Sequence, residues 1–254
     1  MSKTKIEIIQ PESRTAQAIR RVIFTMGGKG GVGKTGIVLA LTDWFRSNGI
    51  PITLLDLDTE NKARGSLQHY FAEARKVDIQ THEGLDALID SIDDGAEIVL
   101  ADMGAGSGQV TYQWFDAMHE DLAETGVVFT AIGVVTPDPA SVESVLSWAN
   151  RLQDRVQYVV VENSITQPAD FHYWRNAEQA QRFRDAFHPA IIPAEHRSAK
   201  IENPARQHGV TLGQIAGKKT DLPEFHRTIP SARAQGYLRR LCDSFDSIKE
   251  FFLP

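Results

Sequence analysis

The segment Gly28-Lys29-Gly30-Gly31-Val32-Gly33-Lys34-Thr35 constrains this chain more than any other. It follows the apolar run RVIFTM (Arg21 to Met26) and precedes a stretch in which Ile37, Val38, Leu41, Trp44 and Phe45 recur at helical spacing, with Gly49 as a stop. The order is buried strand, glycine-rich loop, helix. The loop fits the pattern of glycine, four residues, glycine, lysine, then serine or threonine. Its glycines let the backbone turn tightly and aim successive N–H groups inward, and the next helix offers its positive end to the same point, so a triphosphate meets donors already oriented. Lys34 is placed to bridge the β- and γ-phosphates, and the Thr35 hydroxyl to ligate Mg²⁺.

The same alternation continues along the chain. PITLLDLD (Pro51 to Asp58), EIVLADM (Glu97 to Met103), VVFTAIGVV (Val127 to Val135), VQYVVVEN (Val156 to Asn163) and AIIP (Ala190 to Pro193) read as buried strands. Between them GLDALIDSI, VTYQWFDAMHEDLAE, PASVESVLSWANRLQ and FHYWRNAEQAQRFRDAF each read as one helix. This predicts an α/β fold with a mostly parallel, twisted sheet of about seven strands, helices on both faces and functional loops at the C-terminal strand ends. After a polar lead over residues 1–20, residues 21–254 are expected to form a single domain.

Composition narrows the function. A chain of 254 residues with 42% hydrophobic content can bury a large core, and its formal charge of −6 means that any contact with nucleic acid needs a local basic patch. The single Cys242 cannot form an internal disulfide or by itself hold zinc or an iron–sulfur cluster. The scattered histidines lack helical metal-site spacing, and no apolar run reaches membrane-spanning length. A soluble, cytoplasmic protein is expected.

Acidic residues recur where the strands end. Asp56 and Asp58, two residues apart, lie on one side of their strand and can both face the phosphate loop, the alternative being helix capping or solvation. Asp102 leaves its apolar strand where a carboxylate holding a water on Mg²⁺ belongs.

Lys29 adds a more specific signal: KGGVGKT resembles the deviant Walker A loop of the ParA/MinD family of P-loop ATPases, with its extra signature lysine. The resemblance runs in motif order from about Val22 to Pro193. It implies that the chain binds Mg-ATP as cofactor through Gly28 to Gly36. It also implies that Lys29 reaches the nucleotide of a second subunit in an ATP-bound homodimer; otherwise Lys29 is a solvated loop lysine. LLDLDTEN is similar to the family's DxDPQ(G)N, with Thr59 and Glu60 in place of Pro and Gln. By that likeness Asp56 supports Mg²⁺ or its waters, and Asp58 orients the water that attacks the γ-phosphorus. Asn163 matches an adenine-contacting asparagine, or else simply ends a strand, and Pro193 matches a junction that lines the base pocket. Gly36 departs from the usual Thr or Ser, which touches the α-phosphate in relatives. MGAGSG departs from the usual DTPxG, although Gly104 can still offer an N–H to the γ-phosphate.

Three functions are compatible with these residues. The first is an ATPase that positions or partitions DNA, with non-specific DNA and a ParB-like protein as partners. The second is a plasmid-stability or conjugative-transfer ATPase acting on a transfer-machinery protein. The third is a small-molecule ligase or kinase of the same superfamily. Lys200, Arg206, Lys218, Lys219 and Arg227 form either a DNA face or a solvated edge. Leu238, Leu241, Phe245, Ile248 and Phe252 make an amphipathic helix whose mixed-charge polar face favours packing on the domain over membrane binding. Phe171, His172, Tyr173 and Trp174 are expected to pack as core.

Overall fold

A computed structural model describes residues 19–58, 66–79 and 82–254. Seven strands form one sheet, with every pairing parallel: β1 (Arg20–Met26), β2 (Thr53–Leu57), β3 (Arg75–Lys76), β4 (Ile98–Met103), β5 (Val127–Val135), β6 (Gln157–Asn163) and β7 (Ala190–Ala194). They lie in the order β3-β2-β4-β1-β5-β6-β7. Strand β1 is central because its side chains have apolar partners on both faces. Val22, Phe24 and Met26 enter one core and Ile23 the other, as the two-residue period of a strand requires.

The first core is covered by α2 (His82–Asp93), α3 (Gly108–Glu124), α4 (Pro139–Leu152) and α6 (Glu178–Phe187). The second is covered by α1 (Lys34–Ser47) and α9 (Thr228–Asp246). A satellite cluster of Ile201, Ala205, Ile215, Phe225 and Ala234 joins α7 (Ala199–His208), α8 (Leu212–Ala216) and α9. The fold is the expected layered α/β arrangement.

Two elements differ from expectation. Residues 171–187 form two helices, α5 (His172–Asn176) and α6, because Ala177 is extended at φ −64° and ψ 132°. Asn176 closes the first of them by donating from its side-chain amide to the His172 carbonyl at 2.8 Å, a local bond that competes with helix continuation. The C-terminal amphipathic stretch leaves its α-helix at Asp246 and finishes in a short 3₁₀ turn over Lys249–Phe251. Its apolar face nevertheless packs on the domain, with Phe245 and Phe252 meeting Trp44 of α1 edge-on at ring distances of 6.2 and 6.1 Å. Of the four aromatics expected as core, Phe171 and Trp174 are buried, Tyr173 is half-buried, and His172 is exposed because it starts α5 on the solvent side. Among the described residues, no helix is long and apolar enough to cross a membrane.

Candidate functional site

The loop between β1 and α1 is shaped by what presses against it. Gly33 sits at φ 101°, a region closed to most side chains, and a Cβ there would collide with the Asn163 amide. That amide donates to the Val32 carbonyl at 2.7 Å, so β6 braces the loop. Asn163 is buried in this role. The Lys34 ammonium donates to the Lys29 carbonyl at 3.1 Å and folds across the hairpin. Behind the loop, the Ser144 hydroxyl of α4 accepts from the Lys29 N–H at 3.0 Å.

Lys29 itself leans towards α4. Its ammonium lies 3.3 Å from Asp138, the N-cap of that helix, and both side chains are about half exposed. The Ala140 N–H, and then the Lys29 ammonium, hold the Asp138 carboxyl below the usual range. Lys29 is thus an ion-paired loop residue within one chain.

Three carboxylates gather at the C-terminal ends of β2 and β4. Asp56 and Asp102 face each other across the parallel ladder, and Asp58 follows one residue beyond β2. Asp56 is fully buried and well partnered: it accepts from the Ser66 hydroxyl, from the Gln68 N–H at 3.3 Å and from the Asp58 N–H at 3.2 Å, with Lys76 at 4.0 Å. Asp58 borders the open cleft, and Gly104 packs directly against it. Thr59 and Glu60 lie outside the described residues.

Asp102 is different. One oxygen accepts from the Thr25 hydroxyl at 3.2 Å, while Oδ2 is buried without a hydrogen-bond partner. Burial pushes its carboxyl up to about 7; Asp56 and Asp58 push the same way, against the Thr35 hydroxyl and the Lys34 ammonium. An orphaned buried carboxylate oxygen beside a threonine hydroxyl fits a divalent cation, which would supply the missing positive charge. Among the described residues no group of three or more His, Cys, Asp or Glu is placed to hold a metal ion. Magnesium suits such a site because it keeps waters and substrate oxygens in its shell.

In front of the loop opens a cleft of about 1160 Å³. Gly30 to Gly36, Asp58, Met103 and Ala105 form its inner wall, and residues of α7 and α9 form the outer one. Gly28 is exposed on the preceding turn. Thr35 and Gly36 begin the helix that points into the cleft. Pro193 stands exposed on β7, outside the lining residues, and Asn163 is likewise behind the wall. Lys200 and Arg206 lie on the outer wall, whereas Lys218, Lys219 and Arg227 are exposed elsewhere.

Sequence reasoning missed Thr25, which both donates to Asp102 and accepts from the Met103 N–H at 2.8 Å. It also missed Ser66 and Lys76 around Asp56, and Arg197, whose guanidinium reaches the first turn of α1. A polar Thr inside the apolar run RVIFTM was the available signal for the first. The others are brought in by the topology.

Solved structures with this fold include the MinD cell division protein of Aquifex aeolicus, at 17% identity and a TM-score of 0.52 over 88% of this chain and 98% of that one. The ParA family ATPase of Chlorobium tepidum matches at 10% identity and a TM-score of 0.54 over 88% and 99%. MinD in the MinC:MinD complex of A. aeolicus matches at 16% identity and 0.50, over 88% and 96%. No curated protein matches the chain. The CobQ/CobB/MinD/ParA nucleotide-binding domain model matches residues 23–187, from inside β1 to the end of α6, and the chain belongs to that family.

Proposed function

We propose that residues 21–254 act as one nucleotide-binding domain that takes Mg-ATP at Gly28 to Gly36 and hydrolyses it slowly. The observation that supports this best is the buried Asp102 oxygen left unpartnered beside Thr35, directly behind a glycine loop that carries Lys34. A site of that kind is costly to fold and makes sense as a receptor for cation and phosphate together.

In this reading the N–H groups of the loop bind the phosphates, and the Lys34 ammonium leaves the Lys29 carbonyl to take up charge on the transferred group. Thr35 and Asp102 would hold Mg²⁺, with Asp56 in support, and the ion would supply positive charge to the phosphates. Asp58, at the cleft, orients the attacking water. Lys29 exchanges Asp138 for the nucleotide of a second copy, which couples ATP binding to a homodimer. The dimer then serves in DNA or plasmid partition or positioning, with DNA or a ParB-like adaptor as partner. A MinC:MinD complex is among the structures alike in fold, so a plasmid-stability or transfer role on a protein partner is the nearest variant.

The volume of the cleft favours a second reading, a ligase or kinase with a small acidic acceptor on the outer wall beside Lys200 and Arg206. Calorimetry with Mg-ATP, followed by light scattering with DNA, separates the two. Heat of binding and an ATP-dependent rise in mass that Lys29→Ala abolishes support the first. Absence of heat with every adenine and guanine triphosphate sinks both.

A further inference from the structure

Gly36 and Arg197 are distant in sequence but share one space. A Cβ on Gly36 would stand 2.8 Å from Nη2 and 2.9 Å from Nη1 of Arg197, and one on Gly33 would stand 3.9 Å from the same Nη2. The guanidinium therefore lies along the first turn of α1. There the N–H groups of Lys34, Thr35 and Gly36 precede the first intrahelical bond, from the Ile37 N–H to the Gly33 carbonyl at 3.1 Å. The helix dipole places positive potential at that end, and Lys34 adds to it, so a guanidinium there stands against like charge on its inner side.

Arg197 is nonetheless built in. Its side chain is only 17% exposed, Glu202 pairs with Nη2 at 2.9 Å, and the Tyr237 ring lies 5.7 Å from the guanidinium carbon. An aromatic face and a carboxylate fix the planar group, and one edge remains beside the N–H row. Donors in a row supply hydrogen bonds, and the guanidinium supplies compensating charge, as in a receptor for a phosphate. Lys34 points the other way, towards the Lys29 carbonyl, which assigns it the outer phosphates.

We propose that Arg197 binds the α-phosphate of the nucleotide from within the same subunit, and that position 36 is glycine because the guanidinium needs the room. This rests on the nucleotide-binding reading above.

The test is calorimetric titration of the full chain with Mg-ATP and Mg-ADP. Binding of either nucleotide by the wild type establishes the site; if it binds neither, the nucleotide reading falls, and this inference with it. Given binding, Arg197→Ala should weaken ATP and ADP alike, by about tenfold. Unchanged affinity, or a loss confined to ATP, overturns the assignment. Gly36→Ala leaves the helix intact, as a flexible side-chain end can move aside, and should weaken binding by a similar factor in the wild type but not in Arg197→Ala. Additive losses would count against a shared space. Glu202→Gln, which loosens the hold on Arg197 but keeps the guanidinium, should weaken both nucleotides less than Arg197→Ala does; a loss as large would reassign the effect to the ion pair.

Discussion

Two buried charges lie on neighbouring strands of the same sheet, at its opposite ends, and they are treated differently. Arg21, at the N-terminal end of β1, donates to the Leu253 carbonyl at 2.7 Å, the Thr130 hydroxyl at 2.9 Å and Gln157 at 2.7 Å. Burial lowers its pKa, but Nε and Nη1 both find protein acceptors. Asp102, at the C-terminal end of β4, keeps a buried oxygen that the protein does not meet. The first charge joins the C-terminal segment to the strands; the second leaves a buried polar atom without a protein partner, as the proposed nucleotide and cation site requires.

Substitutions at the two ends should therefore act on different measurements. The largest expected effect is at Arg21: Arg21→Ala leaves acceptors unpaired and should cost about 3 kcal/mol in denaturant unfolding, with nucleotide affinity at low temperature unchanged. If affinity fell instead, the clamp and the cleft would not be independent. Lys34→Ala comes next, with a roughly hundredfold weaker ATP affinity, about 2.7 kcal/mol, and an unaltered melting temperature. A drop in melting temperature of several degrees would make Lys34 a structural residue. Smallest is Asp102→Asn, which removes a buried charge facing Asp56 and Asp58 and should stabilise the ligand-free protein by about 1 kcal/mol. Addition of magnesium and ATP should stabilise this variant less than the wild type. A variant less stable than wild type without ligand would show Asp102 to be as well satisfied as Arg21.

Much of the central half of the molecule was legible in the sequence because its signals are local. RVIFTM, the glycine loop and the helix after it are contiguous, and the apolar runs of β2, β4, β5 and β6 have no polar alternation to confuse them. The edge strand β3 escaped notice, since two exposed residues, Arg75 and Lys76, carry no periodicity. The break at Ala177 depended on a side-chain bond from Asn176 that apolar spacing does not encode. At the candidate site, Lys34, Thr35 and the three aspartates were legible because each lies within a residue of an element's end. Arg197 and the Arg21 clamp were not, because both arise from contacts between segments more than a hundred residues apart. The sharing of space between Gly36 and Arg197 also recasts the departure at position 36: the missing hydroxyl coincides with a guanidinium arriving from elsewhere.

The pairing of Lys29 with Asp138 has one more consequence. Both side chains are half in water, so ions in the medium compete with each of them, and the tether slackens as ionic strength rises. Asp138 also caps α4 through the Ala140 N–H, an attachment that survives when the lysine departs. Lys29 can therefore swing away from its resting place without unravelling the helix that holds it there.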